Sequence, residues 1–304
     1  MSTAAAATVL DERGRERRGQ IYVALAAVAW STAGVLQRRL DVDTATQVAG
    51  RAVFAALALL AYVAISERGR VVGAFRSVGL AGVAVAICIA TASGAFIVAL
   101  NYTTVARVLF IQALSPALAA LLAWVALGEP ISRRVALSLA LAFGGVALML
   151  GTPGDGDLVG DSLSLLLAFA FAIALVITRH RRDVSMAPAT CLAQVLLVVL
   201  FLPFASPGDV GAGDTLDLAM LGVVQIGLGL MLLTIGARLI PTAQVALITL
   251  LEVVLGPLWV WVAYDERPGA ATLAGGAVVV LAIVILTRGS PAVPPPDGAI
   301  PPPQ

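Results

Sequence analysis

The sequence predicts an all-α integral membrane protein of ten transmembrane helices, built as two inverted five-helix repeats. Three observations predict it: an apolar surplus that water cannot accommodate, basic residues concentrated in alternate connections, and a second half that repeats the first at a fixed offset. Of the 304 residues 60% are hydrophobic and 12% charged, and the mean hydropathy is +0.99. A water-soluble domain carries about 25% charged residues, so the excess apolar surface of this chain must face lipid.

A spanning helix needs about 20 mostly apolar residues. That length places spans near 21–37, 44–65, 78–99, 103–127 and 133–151, then near 160–178, 187–204, 216–237, 241–264 and 270–287. Asp41 and Asp43 separate the first two, Glu67 to Arg76 the next, Gly128-Glu129-Pro130 ends the fourth, and Gly151 to Asp161 divides the halves. The shortest breaks are 99–103 and 237–241. Residues 1–19 read as a polar cytoplasmic tail, and residues 289–304, with seven prolines, as a disordered Pro-rich one. Residues 20–151 and 160–287 are then the two five-helix repeats.

All 19 basic residues are Arg. With the N-terminus in the cytoplasm, Arg13, Arg15, Arg17, Arg18, Arg68, Arg70, Arg76, Arg133, Arg134, Arg179, Arg181, Arg182, Arg238 and Arg288 fall inside, fourteen in all. Arg38, Arg39, Arg107 and Arg267 fall outside, four in all. This is the cytoplasmic bias expected of a multi-pass protein with both termini inside. Arg107 at its helix edge is expected to snorkel to the outer surface.

At an offset of 137 residues (261 − 124), Trp124-Val125-Ala126 falls on Trp261-Val262-Ala263 and Glu129 on Glu266 without a gap. Five helices per copy is an odd number, so the copies lie in opposite orientations. Inverted repeats with a site near the bilayer midplane are a recurring construction of secondary transporters. A carrier is the expected class.

The chain resembles the EamA-type branch of the drug/metabolite transporter superfamily. The likeness rests on Ala99 to Thr104, Leu114-Ser115-Pro116, Leu127-Gly128-Glu129-Pro130 and Phe143 to Val146 in the first half. In the second it rests on Gly236 to Pro241, Leu250-Leu251-Glu252 and Asp265 to Pro268, with Trp30 and Arg51 at positions the family often fills alike. The chain departs from the family pattern at Glu252-Val253, where Glu-Pro is common, and at Asp265-Glu266, where Gly-Glu is common. The resemblance implies ten helices and export of amino acids or other small organic metabolites from a bacterial plasma membrane.

Ionisable groups inside spans cost roughly 2.5–3.5 kcal/mol at the helix centre on insertion scales, so each calls for a reason. Glu252 lies near the middle of the ninth span and is expected to contact a substrate amine or carry a proton. Arg51 is expected to contact a carboxylate, pair with Glu252, or hold helices together. The repeat superposes Ser115 on Glu252 and Gln112 on Thr249, which gathers these four at mid-membrane. Trp30 is expected as an aromatic wall or a core residue, while Gln225 and Asn101 are weaker substrate-binding candidates. Glu129 and Glu266 read as helix-end caps, and Cys88 and Cys191 as small buried residues. One His and two separated Cys argue against a metal, no nucleotide-binding loop is present, and a net charge of +1 points to no nucleic-acid partner. Cofactors and catalytic residues are therefore not expected. The rival readings are an intramembrane enzyme, which would need clustered acids or histidines, and a membrane scaffold or sensor using the Pro-rich tail.

Overall fold

The computed structural model describes residues 3–128, 133–150, 157–181, 185–240 and 242–288. Among them every regular element is helical. Seven helices are long and apolar enough to cross a membrane, and three shorter apolar ones (Val135–Leu150, Ile248–Tyr264 and Ala270–Ile285) bring the spans to ten. The Pro-rich tail and Glu129 lie outside the described residues.

The first span is α1 (Thr3–Ser31) continued by α2 (Ala33–Arg39). Helix therefore begins far upstream of residue 20, where a polar tail was expected. Gly19 is pressed against Leu239 and Ile240, and Gln244 donates to Glu16 at 2.7 Å, so the end of that segment is part of the fold. The step between α1 and α2 falls where the Ser31 and Thr32 hydroxyls bond back to the Val28 and Ala29 carbonyls, a competition that bends helices. The second span, α3 (Thr44–Ser66), is capped by Asp43, whose carboxylate accepts from the Thr46 amide and hydroxyl. Partial burial works against ionising Asp43, but the Thr46 bonds prevail and hold its carboxyl below the ordinary value. A short α4 (Val71–Ser77) leads into the third span, α5 (Gly79–Leu100).

The fourth span is broken into α6 (Val105–Gln112) and α7 (Ser115–Leu127). Pro116 has no N–H to give the carbonyl four residues back, which is that of Gln112. The Ser115 hydroxyl takes over, donating to the Gln112 carbonyl at 2.6 Å. The fifth and sixth spans are α8 (Arg133–Leu150) and α9 (Leu158–His180), and the seventh is α10 (Ala187–Phe201). In the eighth, α11 (Ala212–Ala219) and α12 (Gly229–Gly236) flank a π-helical stretch over Met220–Leu228. The ninth, α13 (Thr242–Tyr264), contains Pro257 and stays one helix, and the tenth is α14 (Ala270–Arg288).

The packing obeys a twofold exchange of span n with span n + 5. The third packs on the sixth as the eighth does on the first, the sixth on the fourth as the first on the ninth, and the third on the seventh as the eighth on the second. The second–seventh, fourth–ninth and fifth–tenth pairs map onto themselves. Two lobes result: one of the first, eighth and ninth spans, the other of the third, fourth and sixth. The second–seventh pair closes one side, and the fifth–tenth pair stands against the fourth and ninth spans. In the fifth–tenth pair a Cβ on Gly145 would lie 2.6 Å from the Gly275 carbonyl, an approach that only small residues permit.

Candidate functional site

The lobes meet chiefly through α2 with α5 and α13 with α6. Both contacts lie in the half of the bundle away from the N-terminus. That distal end is fastened by polar bonds. Arg38 donates to Glu266 (3.0 Å) in its own lobe and to the carbonyls of Leu100 (2.7 Å) and Thr103 (3.0 Å) in the other. Glu266 in turn accepts the Val105 amide at 2.8 Å, which caps α6 from across the seam. Gln37 and Asn101 both donate to the Gln47 side chain, joining α2, α3 and α5. Other polar bonds stiffen single lobes. Arg39 pairs with Asp217 at 3.2 Å, and Arg107 forks onto Asp161 at 2.9 and 2.5 Å while its third nitrogen donates to the Met149 carbonyl. Toward the N-terminal face, α13 packs on α1, and α7 packs on α9 and α8, so the fourth and ninth spans diverge below the Ala113 level. The seam is closed at the distal end and parted at the other.

Glu252 lies at the top of this parting. It stands four residues before Gly256 and so shares its face. A Cβ on Gly256 would meet Leu109 of α6 and lie 3.7 Å from the Ser31 carbonyl of α1. Glu252 thus looks toward the junction of the first and fourth spans, one turn below the closed contact. It is half-buried, and no hydrogen bond or ion pair to it is found among the described residues. Trp30 is also half-buried, its indole lying over the backbone of Gly229 in α12. Gln225, in the π-helical stretch and one turn from Gly229, has a buried Oε1 with no hydrogen-bond partner among the described residues. A π-turn rotates the side chains that follow it and recurs at functional sites. Trp259 donates to the Ser31 hydroxyl at 3.0 Å and lies on the Glu252 stripe seven residues on.

Four sequence expectations need correction or relocation. Arg51 does not pair with Glu252: it is 2% exposed, and its guanidinium is held by the Ser93 hydroxyl and carbonyl on α5. Arg107 does not snorkel outward. It is 2% exposed, because Asp161 and a backbone carbonyl satisfy it inside the protein more fully than the interface would. Ser115 is buried, with its hydroxyl turned into its own backbone. Asn101 sits on the distal turn in the Gln47 cluster, away from the other candidates. Gln112 and Thr249 are half-buried next to the break and below Glu252 respectively.

A family model described as the EamA-like transporter family matches residues 17–151 and again 158–288. Together these segments, one per repeat, cover most of the chain, and the chain belongs to that family. No curated protein matches. A solved structure described only as the crystal structure of a protein is similar in fold, at 19% identity and a TM-score of 0.60, covering 89% of this chain and 96% of its own.

Proposed function

We propose that the chain is a secondary transporter that exports small organic metabolites, amino acids and related zwitterions foremost, by alternating access across a bacterial plasma membrane with both termini cytoplasmic. The observation that carries this reading is the half-buried, unpartnered carboxylate of Glu252 at the seam of two lobes that are fastened at one end only. A carboxylate at this depth with no protein cation beside it is costly, so a proton or a substrate ammonium neutralises it in turn. That exchange couples export to proton entry. Trp30, Gln225, Gln112 and Thr249 contribute to the same chamber, while Arg51, Ser115 and Asn101 act as its frame. Rocking of one lobe on the other moves the chamber between the two faces.

The test is flux of a labelled amino-acid panel into proteoliposomes, with and without an imposed pH gradient. Saturable flux that responds to the gradient in the wild type and loses that response in Glu252→Gln is expected. Flux of the panel that is unchanged in Glu252→Gln would remove Glu252 from the mechanism.

A further inference from the structure

Among the described residues the chamber has a fixed acid and no free fixed base. Well inside the spans the described basic groups are Arg51 and Arg107, since the chain has no Lys, its one His, His180, closes α9 at the N-terminal face, and the other arginines of the helices lie toward their ends. Arg107 spends three nitrogens on Asp161 and Met149. Arg51 is 2% exposed and fastened to Ser93, so its charge is walled off between the second and third spans. Arg38 and Arg39 are engaged in the distal bonds above the seam. Toward the parting stands the unpaired carboxylate of Glu252, with the half-buried indole of Trp30 in the same lobe. An anionic group beside a π-face suits an organic ammonium. A substrate carboxylate brought to the same place would meet Glu252 at close range with no cation to offset it.

We infer that the Glu252 chamber recognises the ammonium end of its substrate alone, so that organic cations lacking a carboxylate bind in preference to the corresponding zwitterions. This rests on the carrier reading above and narrows its substrate class from zwitterions to amines. Trp30 gives the cation an aromatic face.

The test separates recognition from transport. Dicyclohexylcarbodiimide couples to carboxyl groups in apolar surroundings, and its labelling of Glu252 in the full-length protein is read by peptide mass, with Glu252→Gln as the unlabelled control. Choline and glycine betaine differ by a carboxylate on the same trimethylammonium head, and putrescine and ornithine form a second such pair. The expected result is protection of Glu252 by choline and putrescine at concentrations at least about tenfold lower than betaine and ornithine, the factor that corresponds to about 1.4 kcal/mol. Equal or better protection by the zwitterions, or protection by none of the four, overturns the inference. Flux of radiolabelled choline and betaine in proteoliposomes distinguishes the two readings. Protection by choline without flux of either leaves the ammonium site and sinks the carrier. Saturable betaine flux exceeding that of choline keeps the carrier and sinks the ammonium preference.

Discussion

Arg51 and Arg107 are both guanidiniums within apolar spans, and their partners decide what each is for. Arg107 has a carboxylate in bidentate reach, and the pair is nearly inaccessible, at 2% and 9% side-chain exposure. Removing one member leaves the other charged and buried alone, which costs about 3–5 kcal/mol. Arg107→Ala is therefore expected to lower the unfolding midpoint of the detergent-solubilised protein sharply, whereas Arg107→Leu combined with Asp161→Leu recovers most of the loss. A double variant as unstable as the single one would mean that the Met149 carbonyl contact, not the ion pair, matters. Arg51 has only the Ser93 hydroxyl and carbonyl, and its Nε has no partner. The sequence marked both arginines as anomalies of position. It could not assign partners, because Asp161 lies 54 residues from Arg107 and Ser93 lies 42 residues from Arg51, and neither pairing follows from local spacing.

Among elements, the fifth and tenth spans make the closest helix approach that the glycines report. Adjacent glycines on α8 differ completely in surroundings: a Cβ on Gly145 would strike the Gly275 carbonyl and Val279, while one on Gly144 meets nothing within 4 Å. Gly145→Ala is expected to destabilise by about 1–3 kcal/mol through overpacking. Gly144→Ala is expected to be neutral or mildly stabilising, because alanine is the better helix former by up to about 1 kcal/mol. Thermal unfolding of the two variants side by side checks this, and equal midpoints would show that the helices part freely. The small-residue run Phe143 to Val146 was visible in the sequence, but which glycine faces the partner was not. Boundaries set by charge or proline were legible for the same reason that they exist: Asp43 is a cap and Gly128 takes the left-handed φ of 66° that ends α7. The break at Gln112–Ser115 carried its Ser-Pro signal yet lay inside an unbroken apolar run. The π-helical stretch at Met220–Leu228 carried none, since it contains neither proline nor charge; it packs closely on α3, where a Cβ on Gly222 would lie 2.7 Å from the Arg51 carbonyl and one on Gly227 would strike Ala58.

For the whole molecule, the ten spans, the two repeats and their inversion were legible because hydropathy, arginine placement and the 137-residue offset are global signals that local errors do not erase. Which end of the seam is fastened was not, since it depends on bonds between residues such as Arg38 and Glu266, 228 positions apart. Polar bonds within lobes and polar bonds between them have different consequences. Arg39–Asp217 and Arg107–Asp161 keep each lobe rigid, whereas Arg38, Glu266 and the Gln47 cluster must release for the distal end to part. Arg38→Ala is accordingly expected to shift the population toward distal opening. A cysteine introduced at Thr249 should then react severalfold faster with a membrane-impermeant maleimide added from the distal side, in a background with Cys88 and Cys191 replaced by alanine. An unchanged rate, with the protein still folded by its melting profile, would place the barrier elsewhere.

Arg38 and Glu266 take hold of the other lobe through backbone groups of one short turn, at Leu100, Thr103 and Val105. That turn presents Tyr102, 49% exposed, to the distal surface. An antibody fragment raised against the Asn101–Thr104 epitope would therefore read conformation as well as sequence, since the turn keeps its shape only while both side chains grip it. Such a reagent would trap the carrier at one station of its cycle and supply the rigid fiducial that a membrane protein with no large domain among its described residues lacks for imaging.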